Sequence, residues 1–531
     1  MDIYYLLVSI CFFLWTIQKI LFLVSLWQIK EYRLDGLSTH LRETVQGRKI
    51  FYSPQVIVLI LLVMLYLVVV WNGVFLPVYQ VIVGLTFFYF GMQTVIAGLS
   101  DKLKRPTVTI KSLTLISLGI IGISLLYMFQ IVDAYLWLVL LEIIVPLLIA
   151  FFVAVFSFPT ELYMDFKIAK AKKKVMNMKH LTVIAVSGSY GKSSTKEYIA
   201  HILSQKYKVI KTPLSNNTPI GIANTILLKL TKDTDFFIVE MGAYKRGEIA
   251  ELCDIVKPHI SVTTSISDQH LSLFGSLEEV FATENELIIA LPKTGVALFN
   301  GTNENTKILF EKTKKKKILY TYNKIVRKQV GDIVAYNASV QKNGLEFSVW
   351  FKNKEMKFKT QLLGIHNVEN ILPGIFLGFQ FGISEEKIKK AVSTLSALPK
   401  TMMKFTLQNG VVVIDDTFNA SPESVLAAEK YAKVFTKKRI LVLTPLIELG
   451  KSAAFRHYEL GRSLATFSDI FLTNNNFYKE IVQGITDAKG KTHVFIGKPQ
   501  QIVQELSAHA RNGDIVIFEG KEAGLALSEY I

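Results

Sequence analysis

Residues Leu181 to Val186 are all apolar or β-branched, and they run into Gly188-Ser-Tyr-Gly-Lys-Ser-Ser194. This junction constrains the fold more than any other stretch. The apolar run predicts a buried parallel strand, the two glycines a tight turn, and Lys196 to Leu203 has the spacing of a helix. Backbone N–H groups of such a turn and the N-terminus of the following helix present partial positive charge, and glycine lets the main chain approach an anion closely. Lys192 would reach the β- and γ-phosphates, and the Ser193 hydroxyl would ligand Mg²⁺. The loop is a shortened phosphate loop, because Val186 stands where the first glycine of the usual motif would be. The stretch predicts an ATP site built from Gly188, Ser189, Gly191, Lys192, Ser193 and Ser194.

Of the 531 residues, 50% are hydrophobic and 19% charged, a membrane-like balance that is unevenly spread. The first 160 residues hold nearly all the long apolar runs, at about 4–27, 55–71, 77–98, 113–131 and 135–157. Each is near the ~20 residues that span a bilayer as a helix. The longer connections are basic: Lys30, Arg33, Arg42, Arg48 and Lys49 in one, Lys102, Lys104, Arg105 and Lys111 in the next, and Lys167 to Lys179 after the fifth run. The positive-inside rule places all three in the cytoplasm, with the N-terminus outside and everything after residue 160 inside. The formal net charge of +17 suggests orientation in the cytoplasmic membrane and contact with anionic lipid before nucleic acid. Only Cys11 and Cys253 are present, so no disulfide framework is expected. Glu142 in the fifth run and Gln18-Lys19 in the first are costly inside a bilayer. They read either as a polar site for a lipid head group or partner helix, or as an interhelical pair or snorkelling side chain.

Beyond residue 160 the pattern is that of a soluble α/β protein. Asp235-Phe-Phe-Ile-Val-Glu240 is a buried strand ending in a carboxylate. A glutamate at a strand's C-terminal end faces the crevice where open α/β sheets bind ligands, and it suits Mg²⁺. His259 to Ser267 reads as another strand, followed by His270, and a helix around Phe281 carries Glu284. Residues 318–363 read as β-hairpins decorating the central domain, and Arg439 to Phe518 alternates strands and helices like a small Rossmann-type domain.

These segments together resemble the ATP-dependent Mur ligases. The resemblance rests on Gly188 to Ser194, Asn216-Asn217 with Gly221, Glu240-Met-Gly, His270 with Phe274-Gly-Ser276, Gly364-Ile-His-Asn367 with Asn370, Asp415-Asp-Thr-Phe-Asn-Ala420 with Pro422, and Glu448-Leu-Gly450. It covers about residues 180–530 and is strongest toward the members that add D-alanyl-D-alanine to a muramoyl peptide. It implies activation of a carboxylate as an acyl phosphate, which an amine attacks to form an amide. By resemblance, Lys192, Glu240 and His270 are catalytic, and Ser193, Glu240, His270 and Glu284 hold Mg²⁺. Asn300, His366, Asn367, Asn370 and Asp416 lie around the nucleotide, Asp416 at the ribose. Asn216, Asn217 and Asn419 contact substrate.

The chain also departs from the family. Glu284 stands where the family carries a carbamylated lysine, and it already offers a carboxylate. The hinge arginine has no counterpart in Leu398-Pro-Lys-Thr-Met-Met-Lys404, where Lys400 or Lys404 would supply the charge. The family's Gly-Asp-Met reads Thr444-Pro-Leu446, and its C-terminal Lys-Gly-Ser reads Glu519-Gly-Lys521. These changes fall where the acceptor amine would bind. The N-terminal domain that grips the UDP-sugar is replaced by the apolar segments. The expected architecture is therefore an all-α membrane domain of about five helices (1–160) and a basic linker (161–180). A P-loop α/β ATPase domain (181–398) and a Rossmann-like C-terminal domain (399–531) follow. The expected partners are ATP, Mg²⁺, a muramoyl-peptide or lipid-linked carboxylate, an amino acid or dipeptide acceptor, membrane lipid and other cell wall enzymes, with no nucleic acid. A poly-γ-glutamate-type synthetase and a non-catalytic nucleotide-binding scaffold are the alternative readings.

Overall fold

The computed structural model of the chain describes residues 3–29, 32, 53–72, 76–100, 103–214, 216–243, 245–267, 274, 276–323, 331–446, 449 and 452–531. Residues 1–165 and 166–531 form two compact units.

In the first unit, helices Ile3–Ile29, Pro54–Trp71, Leu76–Leu99 and Ile110–Met128 pack with the first part of helix Ala134–Met176. All five are long and apolar enough to cross a membrane. Phe12, Ile20, Tyr79, Phe87, Leu115 and Val145 fill the interior, while Leu61, Leu67, Leu85 and Leu147 remain more than half exposed. Helices that are apolar on every side need an apolar surrounding. Asp133 begins the fifth helix, its Oδ1 accepting the N–H groups of Tyr135 and Leu136. Glu142 is wholly buried, and Lys19 Nζ donates to its Oε2 at 3.0 Å and to its backbone carbonyl at 2.7 Å. The Thr16 hydroxyl donates to Glu142 Oε1. Of the two readings of Glu142 and Lys19, the structure shows the interhelical pair.

The fifth helix does not end near residue 157 but runs to Met176. Lys167 to Lys174 consists largely of good helix formers, so the basic stretch continues the helix instead of breaking it. Ala171 and Val175 belong to the core of the second unit, together with Val183, Ile222, Val239 and Leu252. Lys174 Nζ donates to the carbonyls of Ile226 and Leu227, at the end of helix Pro219–Lys229, and Lys172 pairs with Asp254 at 2.6 Å.

Among the described residues, the second unit holds two sheets. The first has nine strands: β1 (Thr182–Ser187), β2 (Val209–Lys211), β3 (Phe236–Glu240), β4 (Ile260–Thr263), β5 (Val296–Asn300), β6 (Lys316–Asn323), β7 (Ile333–Gln341), β8 (Gly344–Phe351) and β9 (Lys354–Thr360). Their order is β2-β3-β1-β4-β5-β6-β7-β8-β9. Strands β2 to β7 pair in parallel, and β8 and β9 close the edge antiparallel. Residues 318–363 thus extend the main sheet; they are not an added decoration. The second sheet has β10 (Met403–Thr406), β11 (Val412–Asp416), β12 (Arg439–Leu443), β13 (Asp469–Leu472), β14 (His493–Ile496) and β15 (Ile515–Glu519), ordered β10-β11-β15-β12-β13-β14. Only β10 is antiparallel among these pairs.

Candidate nucleotide and metal site

β1 lies between β3 and β4, so its C-terminal end opens onto the crevice of the parallel sheet. The chain turns there through Gly188 (φ +128°) and Gly191 (φ +79°) into helix Lys192–Leu203. That helix begins four residues before the spacing predicts. A Cβ on Gly191 would lie 2.4 Å from Asn370 Oδ1, and one on Gly188 would lie 2.3 Å from Thr264 Oγ1. Both positions combine a left-handed backbone with no room for a side chain. Residues after β4 hold the loop from the other side: Ser265 O accepts the Ser189 N–H at 2.7 Å, and Ser265 Oγ accepts the Tyr190 N–H at 2.9 Å.

Lys192 Nζ lies inside this turn, donating to the carbonyls of Gly188 at 2.5 Å and Ser189 at 3.0 Å. Burial lowers its pKa, while the Glu240 and Glu284 carboxylates pull it back up. Ser193 Oγ donates to Glu240 Oε2 at 2.8 Å, so the hydroxyl and carboxylate read as Mg²⁺ ligands are brought together. Glu284 is 8% exposed, on helix Leu277–Ala290, whose Ser276 caps the Glu279 N–H. Burial pushes its carboxyl up to about 7 against the opposing pull of Ser187, Lys192 and the Gly188 N–H. Among the described residues its Oε2 has no hydrogen-bond partner. A buried, unpartnered carboxylate oxygen beside a phosphate-loop lysine suits a hard divalent cation. His270 and Glu448 lie outside the described residues.

The first turn of helix His366–Gln380 closes on the same loop. Asn370 Oδ1 accepts from Thr195 Oγ1 at 3.3 Å, Asn367 Oδ1 from Tyr198 OH at 2.9 Å, and Glu369 Oε2 from Asn300 Nδ2 at 2.9 Å. Among the described residues His366 Nδ1 is buried without a partner, and burial, with the Lys430 charge, pushes the ring down to about 4. It is neutral at physiological pH. Asn216 and Asn217 pack where a Cβ on Gly221 or Gly242 would otherwise lie, at 1.8 Å and 2.3 Å. These residues converge at one end of the sheet. Asp416 is turned inward within the C-terminal domain, whereas Asn419 is exposed. Lys404 Nζ is engaged with Lys342 O and Asn343 Oδ1.

Two residues of the site escaped sequence reasoning. Lys196 is fully buried; its Nζ lies 3.3 Å from Glu240 Oε2 and also bonds the Leu214 carbonyl. Its spacing of one helical turn from Lys192 was the available signal. Glu369 had none, since its partner Asn300 lies 69 residues away.

Two family models match the chain: the Mur ligase middle domain over residues 186–378, and the Mur ligase, glutamate ligase domain over residues 402–522. The UDP-N-acetylmuramoyl-tripeptide–D-alanyl-D-alanine ligase of Escherichia coli is 30% identical over 281 residues, which is 53% of this chain and 61% of that protein. The ligase of the same name from Mycobacterium bovis is 30% identical over 367 residues, 65% of this chain and 71% of that protein. Among solved structures, the MurF ligase of Thermotoga maritima in complex with ADP aligns at a TM-score of 0.60 and 23% identity. That alignment covers 69% of this chain and 83% of the other.

Proposed function

The chain belongs to the Mur ligase family, and from that premise we propose that it is a membrane-anchored, ATP-dependent amide ligase of cell wall synthesis. In this reading a muramoyl-peptide carboxylate is activated as an acyl phosphate and coupled to D-alanyl-D-alanine or a similar amine. The observation that carries it is the convergence of Lys192, Ser193, Glu240 and Glu284 at the end of β1. Ser193, Glu240 and Glu284 would hold Mg²⁺, which supplies positive charge against the transferring phosphoryl group. The turn and helix N-terminus bind phosphate through backbone N–H groups, and Lys192 exchanges its two carbonyl partners for phosphate oxygens. Glu369 holds the Asn300 amide in one orientation beside the nucleotide. The five apolar helices support a multi-pass location in the cytoplasmic membrane, with the ligase unit on the cytoplasmic side.

The test is ADP release by the full chain in detergent with Mg²⁺, UDP-muramoyl tripeptide and D-alanyl-D-alanine, with Lys192→Ala as control. Turnover that disappears in the variant supports the reading. ATP binding without ADP release overturns the soluble donor, and the same assay with a lipid-linked muramoyl peptide then tests the carboxylate that the apolar helices would favour.

A further inference from the structure

β11 and β15 run parallel and in register, so Asp416, the last residue of β11, lies directly beside Glu519, the last of β15. Paired positions on neighbouring strands are ~4.8 Å apart with side chains on the same face. Both carboxyls are interior, at 5% and 0% exposure. Asp416 Oδ1 accepts the Met402 N–H at 3.2 Å, and Glu519 Oε2 accepts from Ser424 Oγ at 3.4 Å. The remaining oxygens, Asp416 Oδ2 and Glu519 Oε1, are buried with no other partner among the described residues. Two adjacent carboxylates away from water cannot both carry charge, and one proton between them gives both unpartnered oxygens a hydrogen bond at once.

The surroundings favour this. On the pair's own strand, Asp415 turns its carboxylate to the Thr417 N–H and hydroxyl. The hinge contributes the Met402 N–H, helix Pro422–Ala432 contributes Ser424, and the residue after β12 donates the Thr444 N–H to the Glu519 carbonyl. None of these facing groups carries a positive charge, and Lys521 and Glu522, at the start of the helix that follows β15, are exposed. Met402 (φ +46°) and Lys400 (φ +62°) hold left-handed backbone in the turn that leads into the C-terminal domain. That conformation is strained for side-chain-bearing residues and persists when its surroundings fix it.

We propose that Asp416 and Glu519 share one proton, and that this shared proton fixes the hinge turn through the Met402 N–H, making the two residues a pH-sensitive positioning pair for the C-terminal domain. Burial raises both carboxyls above the usual carboxylate range; the Asp416 charge and hydrogen bond raise Glu519 further, whereas the hydrogen bond from Glu519 pulls Asp416 back down. A raised folded-state pKa gives stability that is present at low pH and lost as pH rises past the usual carboxylate range. Loss of the shared proton sets two charges side by side, parts the ends of β11 and β15 and frees the Met402 turn.

The test is thermal unfolding of the full chain in detergent across about pH 6 to 9, for wild type, Glu519→Gln and Asp416→Asn. In each variant the new amide donates to the remaining carboxylate, so one charge is satisfied without a shared proton. The expected result is a wild-type Tm that falls by several degrees toward high pH and a much flatter profile in both variants, which overtake wild type at the alkaline end. Parallel profiles for all three, or variants lowered equally at every pH, would overturn the proposal. In the ADP-release assay, the alkaline loss of kcat should move to higher pH in Glu519→Gln; an unmoved limb overturns the positioning role. Thermal unfolding needs no substrate, so its outcome is independent of the ligase reading.

Discussion

Replacing Lys196 with methionine keeps the length and most of the volume of the side chain and removes only its charge. The ammonium is fully buried, lies 3.3 Å from Glu240 Oε2 and bonds the Leu214 carbonyl, while Glu240 itself is 2% exposed. Loss of one partner leaves the carboxylate buried with only the Ser193 hydroxyl on that oxygen, and breaking such a pair costs about 3–5 kcal/mol. Pairing Lys196→Met with Glu240→Gln removes the uncompensated charge, so the double variant should be more stable than the sum of the two losses by roughly 2–3 kcal/mol. Urea denaturation of the full chain in mild detergent measures this at Trp350, the one tryptophan beyond residue 165. A single-variant cost below about 1 kcal/mol, or strictly additive losses in the double, would refute the claim that Lys196 neutralises Glu240.

Gly191→Ala should keep the fold but lower ATP affinity about tenfold or more, because a Cβ at φ +79° meets Asn370 Oδ1 at 2.4 Å; nucleotide titration reads it. Glu284→Ala should raise the Mg²⁺ concentration needed for half-maximal ADP release by about tenfold or more, as one of the three oxygen ligands proposed for the ion is lost. Glu142→Leu strands the Lys19 ammonium among apolar helices and should cut the yield of folded protein in detergent, whereas adding Lys19→Met should restore it. Cys253 is 2% exposed and burial pushes its thiol up to about 12, so it should resist iodoacetamide at pH 8 in the native chain and react only on unfolding, as mass spectrometry of the labelled peptide would show.

Much of this protein is legible in local spacing. The apolar run before Gly188 becomes β1, the five long apolar segments become five helices, and the alternation from Arg439 becomes β12 to β15, four parallel strands of the second sheet. Each of these follows from a period of a few residues, so neighbours along the chain suffice to specify it. Boundaries fared less well where no breaker was present, as in the fifth helix, which runs on through its lysines to Met176.

What only the tertiary structure decided is which distant polar groups meet. Lys19 finds Glu142 across 123 residues, and Asn370 closes on Gly191 and Thr195. Lys196 takes the carboxylate beside Ser193, and Asp416 faces Glu519 because β11 and β15 pair in that register. Sequence spacing carries no information on such pairs, since their partners are selected by strand order and helix packing. Burial then makes the choice matter: a polar group withdrawn from water must find its partner where the fold has placed one.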